Sequence, residues 1–167
     1  MLFNTLEFAL FLPVVLLIYY ALNLRGQNLW LLLASYVFYG AWDWRFLILI
    51  ALSTLIDFVA AERMSYHKQV SRQNTAKAWL ALSIAFNLGM LGLFKYFNFF
   101  VDSFVALGAL GGLDFDTPVL RLLPPIGISF YTFQTLSYSI DVYRGRIKRE
   151  DDFFNFALFV SYFPQLV

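Results

Sequence analysis

The chain has 167 residues, 60% of them hydrophobic and 20% aromatic, with 14% charged and a net charge of +1. A soluble domain of this size is about half apolar and about a quarter charged, so this composition, gathered into long apolar blocks, excludes an ordinary soluble globule and points to an integral membrane protein. The near-neutral charge gives no support to nucleic-acid binding. The absence of cysteine removes disulfides, zinc fingers and thiol catalysis, and a single histidine, His67, leaves no His-rich metal site within these residues.

Six apolar blocks follow one another along the chain: Leu6–Leu22, Leu29–Trp42, Phe46–Ala61, Ala78–Val101, Leu122–Ile140 and Phe153–Val167. Continuous rather than alternating polarity predicts helices and not barrel strands, so the expected fold is all-α, a polytopic membrane bundle of about six transmembrane or re-entrant helices. At 1.5 Å per residue, about 20 residues cross a core about 30 Å thick. The first, fourth and fifth blocks meet that length. The second and third are shorter, joined by Asp43-Trp44-Arg45, and predict a thin hairpin or a re-entrant pair. The N-terminus carries Glu7 where a signal peptide has basic residues and lacks a small-x-small cleavage pattern, which predicts a retained span. Within that span Glu7 and Pro13 mark an outer end and a packed kink. Trp42 and Trp44 read as interface anchors.

Lysine and arginine set the orientation. Arg25 lies in the connection 23–28. Arg63, Lys68, Arg72 and Lys77 lie in the loop Glu62–Lys77, and Arg144, Arg146, Lys148 and Arg149 in Tyr143–Asp152. These are nine of the twelve basic residues, in three loops that fall on one side if every block spans. That side is expected to be cytoplasmic and the N-terminus extracytoplasmic. Arg45, Lys95 and Arg121 sit near the outer ends, where long side chains can snorkel. The stretch Asp102–Arg121 reads as an exposed connection, and Tyr96–Leu107 as a segment along the outer interface. His67, between Tyr66 and Lys68, reads as a solvated surface residue.

The fifth block begins at Pro124-Pro125, which suits the first turn of a helix. At 100° per residue, Tyr131, Gln134, Tyr138 and Asp141 share an arc of about 80° with Gly127. Such a polar face points at protein or a water-filled cavity. Packing against sister helices explains it equally well, and Asp141 beside Arg144 fits an ordinary interfacial ion pair. Asp57 reads as an interfacial carboxylate near the end of the third block, or as a group at the mouth of a chamber. Asn87, with Gly89 and Gly92, reads as a helix–helix contact.

The run Pro124-Pro125-Ile126-Gly127-Ile128-Ser129-Phe130-Tyr131-Thr132-Phe133-Gln134, continuing to Asp141-Val142-Tyr143-Arg144-Gly145, resembles the signature of the membrane-bound O-acyltransferase family. The blocks Leu33–Trp44 and Leu91–Asp102, and the opening Leu6-Glu7-Phe8 with Phe11-Leu12-Pro13, are similar to further family blocks, and the form Asp141–Gly145 favours the alginate-type polysaccharide O-acetylation branch. The resemblance implies a multi-pass protein of the bacterial inner membrane with a central chamber. It implies an acyl-CoA donor, acetyl-CoA, and transfer to an extracytoplasmic polysaccharide or partner protein, with no bound cofactor or metal. It makes Gly127, Tyr131, Gln134, Tyr138, Asp141 and Arg144 candidates for lining the chamber or contacting substrate. Residues 1–167 then form the N-terminal part of a single membrane domain with no soluble domain. The family's catalytic histidine is expected beyond Val167, and this stretch alone is expected to be inactive. A transporter or channel half, or a non-catalytic membrane scaffold, are the rival readings; an inverted repeat would favour the first of these and none is visible.

Overall fold

A computed structural model describes residues 5–110 and 127–166. Within them the chain forms α1 (Leu6–Ala21), α2 (Leu24–Gln69), α3 (Gln73–Leu110), α4 (Ile128–Arg144), α5 (Phe153–Ser161) and α6 (Phe163–Leu166). No strand occurs among the described residues, and the fold is an all-α membrane bundle. Two helical stretches, Asp43–Gln69 and Gln73–Leu107, are long and apolar enough to cross a membrane, and Leu6–Ala21 is a shorter apolar helix.

The boundaries follow local chemistry. Thr5 and Asn23 cap α1 and α2 by accepting from the Phe8 and Gly26 amides, and Asp152 caps α5 by accepting from Phe154 and Asn155. The α4 C-terminus closes on Gly145 at φ +75°. There the Gly145 amide donates to Val142 O and the Arg146 amide to Asp141 O, a Schellman turn that favours glycine. Pro13 sits inside α1, which runs on without a break. Pro164 cannot continue α5, because it lacks an amide for the Val160 carbonyl. The helix accordingly stops at Ser161 and restarts after Tyr162. The sixth apolar block is therefore two helices rather than one span.

The element α2 leaves helical geometry at Asp43 (φ −157°, ψ 116°), whose carboxylate accepts from the Arg45 amide and starts a new helix. Residues 24–42 and Asp43–Gln69, here α2a and α2b, then run back along one another. Asn28 bonds to Asn155 at 2.9 Å, while Phe58 packs edge-on against Phe153 and tilted against Phe156. Both contacts fall within one turn of α5. In a straight helix Asn28 and Phe58 would be about 45 Å apart, so the chain must reverse at Asp43. The second and third blocks fold back on one another, as the hairpin and re-entrant readings both require.

The other helices alternate in direction. Trp30 Nε1 donates to Val15 O and Phe8 packs edge-on against Phe38, setting α1 antiparallel to α2a. Paired contacts set α3 antiparallel to α2b and α4 antiparallel to α3. The three basic connections therefore gather at one end, where Lys68 Nζ donates to Tyr143 O.

The charged stretch 62–69, expected as loop, continues α2b to Gln69, and only residues 70–72 separate it from α3. The segment Tyr96–Leu107 is the continuation of α3 rather than a separate interfacial piece. Residues 111–126, with Pro124, Pro125 and Arg121, lie outside the described residues. Residues 1–167 contain no cysteine, so cysteine pairs placed here, in a full-length protein freed of any other cysteine, can test the reversal. Asn28→Cys with Asn155→Cys, and Phe58→Cys with Phe153→Cys, should each cross-link under mild oxidation. Cross-linking of only one pair would mean that α2 does not fold back at Asp43.

Candidate functional site

Three helices each bring a pair of small polar residues four positions apart into the centre of the bundle. Ser53 and Asp57 come from α2b, Ser83 and Asn87 from α3, and Thr135 and Ser139 from α4. Spacing of i and i+4 puts each pair on one helix face. All six are buried, with Asp57 completely inaccessible.

Their hydrogen bonds close on one another. Ser83 Oγ donates to Asp57 Oδ1 at 2.6 Å. Asn87 Nδ2 directs one proton to both Asp57 oxygens, each at 2.9 Å, and the other to Ser83 O at 3.0 Å. The Asn87 carbonyl accepts from Ser53 Oγ at 3.0 Å and lies 3.3 Å from Thr135 Oγ1, whose single proton is shared with Thr132 O at 3.2 Å. The Ser139 hydroxyl lies 3.2 Å from that of Ser83 and, with the Ser83 proton committed to Asp57, acts as donor. A carboxylate in an apolar interior is tolerated only when donors surround it. Here those donors come from α3, with Thr135 and Ser139 of α4 bonded to them in turn.

This corrects the interfacial reading of Asp57. The carboxylate reaches neither headgroups nor Arg63; it is the centre of the knot. Asn87 does join helices, but Gly89 and Gly92 do not help it, because a Cβ at either would meet nothing within 4 Å.

The face expected on α4 is displaced. Its buried side centres on Thr135, between Tyr131, Ser139 and Val142, about 80° around the helix from the axis through Gly127. Tyr131 is buried, with its hydroxyl unpartnered among the described residues, as are those of Tyr39 and Thr132. Gln134 sits at the edge of this side. Its Nε2 donates to Phe159 O at 2.7 Å, and its Oε1 is shielded without a partner. The Phe159 carbonyl needs that donor because the Phe163 amide, which would have bonded it in a continuous helix, turns instead to Ser35 Oγ at 3.2 Å. Gln134 also lines an open groove of about 540 Å³ on the outer side of α4 with Ser129, Phe130, Phe133 and Ser137.

The Tyr138 hydroxyl accepts from the Glu150 amide at 2.9 Å and so holds the α4–α5 connection. Asp141 pairs with Arg146 at 3.4 Å, not with Arg144, which is exposed. Gly127 precedes α4 at φ +76°, a conformation that glycine adopts without strain. His67 is half-buried against Tyr66, with Nδ1 shielded and unpartnered, and so is less solvated than its neighbours in sequence imply.

The sequence is 43% identical to the probable alginate O-acetylase AlgI of Pseudomonas aeruginosa and to that of Azotobacter vinelandii, each over 95% of this chain. It is a homologue of the alginate O-acetylases. These likenesses agree with the resemblance carried by its motifs. A peptidoglycan O-acetyltransferase of Helicobacter pylori is 32% identical over the whole chain. The chain spans about a third of the length of these relatives: 30%, 31% and 36%. No family model and no solved structure matches.

Removing one partner from the knot should be costly. In the full-length protein Asp57→Ala leaves Ser83 and Asn87 with unpaired donors and should lower stability by about 2 kcal/mol. Asn87→Ala should cost a similar amount, and the double variant less than the sum, because both changes break the same contacts. Thermal unfolding in detergent reads all three. Strict additivity would show that the two residues act separately.

Proposed function

We propose that the protein is a membrane O-acetyltransferase that moves acetyl groups from cytoplasmic acetyl-CoA toward an extracytoplasmic polysaccharide, directly or through a partner protein. The observation that carries this is identity of 38–43% over 95% of the chain with proteins named alginate O-acetylases. The peptidoglycan O-acetyltransferase has a different acceptor, and acetyl transfer to oxygen is what the two names share. The placement that fits is the inner membrane, with the end bearing Lys68, Arg144 and Arg149 in the cytoplasm and the N-terminus outside.

Residues 1–167 then form the N-terminal part of a single larger membrane domain whose histidine base lies outside them, so this stretch alone would not turn over. Gly127, Tyr131, Gln134, Tyr138, Asp141 and Arg144 are the proposed chamber and substrate residues. The unpartnered Tyr131 hydroxyl and Gln134 Oε1 support that role for two of them, since each is a polar atom held ready for a partner. Tyr138 and Asp141 are already engaged in local contacts, which favours positioning of the α4 end in their case.

The test is acetyl transfer from labelled acetyl-CoA by membranes carrying the full-length protein, beside Gln134→Leu and residues 1–167 alone. Gln134→Leu should lower transfer roughly tenfold at unchanged abundance, and the short form should show none. Transfer by the short form that disappears in His67→Ala would place the chemistry within these residues and overturn the proposal. Orientation is read separately in intact cells with an impermeant maleimide. Cysteine at Trp44 should label and cysteine at Arg72 should not, and the reverse pattern would invert the topology.

A further inference from the structure

At the basic end of the bundle a polar cleft of about 180 Å³ opens between the last two turns of α2b and the α4–α5 connection, lined by Glu62, Arg63, Ser65, Tyr66, Gln69 and Arg149. Its depth follows from length. The stretch Asp43–Gln69 is 27 residues long, about 40 Å of helix against an apolar core about 30 Å thick. The extra length is the charged end from Glu62 to Gln69, which places the cleft among lipid headgroups.

The donor set is specific. Arg63 and Arg149 each present a planar fork suited to phosphate oxygens, and the Ser65 and Tyr66 hydroxyls and the Gln69 amide are neutral donors beside them. Arg149 already holds Asp151 at 2.9 Å, an outward pair in which Asp151 is largely exposed. Such pairs are weak, and a guanidinium has five N–H donors to share. Neither Arg63 nor Glu62 has an ion-pair partner among the described residues. Glu62 decides the class of ligand. A carboxylate in the cleft disfavours a dianionic phosphate and suits a ligand that carries a cation next to its phosphate.

We propose that this cleft binds the phosphoethanolamine headgroup of a membrane lipid, the phosphodiester between Arg63 and Arg149 and the ammonium on Glu62. The inference stands on the cleft and its depth, and does not depend on the acetyl-transfer reading or on which side of the membrane the cleft faces.

Native mass spectrometry of the full-length protein in detergent, titrated with short-chain phosphatidylethanolamine, phosphatidylglycerol and phosphatidylcholine, tests it. The wild type should retain phosphatidylethanolamine in preference to both others. Arg63→Ala should weaken its retention roughly tenfold, and Arg63→Lys, which keeps charge but loses the fork, by less. Glu62→Gln should move the preference toward phosphatidylglycerol. Arg72→Ala, the same change of charge outside the cleft, should retain lipid as the wild type does. Equal losses in Arg72→Ala and Arg63→Ala would show diffuse attraction in place of a site. An unchanged preference in Glu62→Gln would overturn the headgroup assignment. Displacement of the lipid by inorganic phosphate would give the cleft to a soluble phosphoryl ligand and overturn the proposal.

Discussion

The helices of this bundle are arranged around a carboxylate that has no cation partner among the described residues. Between membrane helices the hydrophobic effect supplies little attraction, because lipid tails are as apolar as leucine. Association then rests on packing and on polar groups that have nowhere else to bond. Asp57 imposes that condition on α3 and, through Ser83 and Asn87, on α4. Replacing the whole knot by fitted apolar side chains need not destabilise the fold. What the knot adds is register. Sliding α3 or α4 by one turn would leave donors and acceptors of the knot without partners in a medium that offers no water.

A second constraint is the reversal of α2 at Asp43, which presents two antiparallel helices to α5 where a straight helix would present one. Phe38, Phe58, Tyr138, Phe156 and Phe163 fill the angle between them and α4. The break before Pro164 belongs to the same arrangement. It turns the Phe163 ring into that cluster and separates the Phe159 carbonyl from the Phe163 amide, which Gln134 and Ser35 take up. A polar residue in the fifth apolar block thus has a plain task, to complete the end of a helix that proline interrupts. Its other atom, Oε1, has no hydrogen-bond partner among the described residues.

The existence of the helices was legible in the sequence because long apolar blocks leave few alternatives, and the Asp43-Trp44-Arg45 joint marked the hairpin. The ends were less so. Glu62 and Arg63 end the hydropathy of the third block but not its helix, which runs to Gln69. Asp57 still lies four residues from the end of the apolar block, but α3 encloses it with donors, and an apparent interface residue is a buried one. The buried side of α4 takes in Tyr131 and Tyr138 but centres on Thr135, away from Gln134 and Asp141. Gln134 and Asp141 attract notice by their polarity, whereas Thr135 and Ser139 resemble filler in an apolar run. Small hydroxyl residues can stay fully inside while a glutamine reaches to the edge. The signal that would have found the site was present: pairs four residues apart, Ser53 with Asp57, Ser83 with Asn87 and Thr135 with Ser139, recur in three successive blocks. The partners themselves were not legible, since pairing depends on which helices meet.

The contacts that hold α5 and α6 also fix when the bundle can close. Asn28 meets Asn155 across 127 positions, and Phe163 meets Ser35 across 128. At about 5–20 residues per second of synthesis, the ribosome finishes the α2a surface roughly 6–25 s before the segment that covers it exists. For that interval the two halves of α2 stand in the membrane with the aromatic wedge empty. The hairpin must persist on its own backbone bonds and its contacts with α1, α3 and α4 until the last helices arrive. The growing chain thus passes through a stage, with its wedge uncovered, that insertion machinery or a quality-control protease meets before the bundle closes.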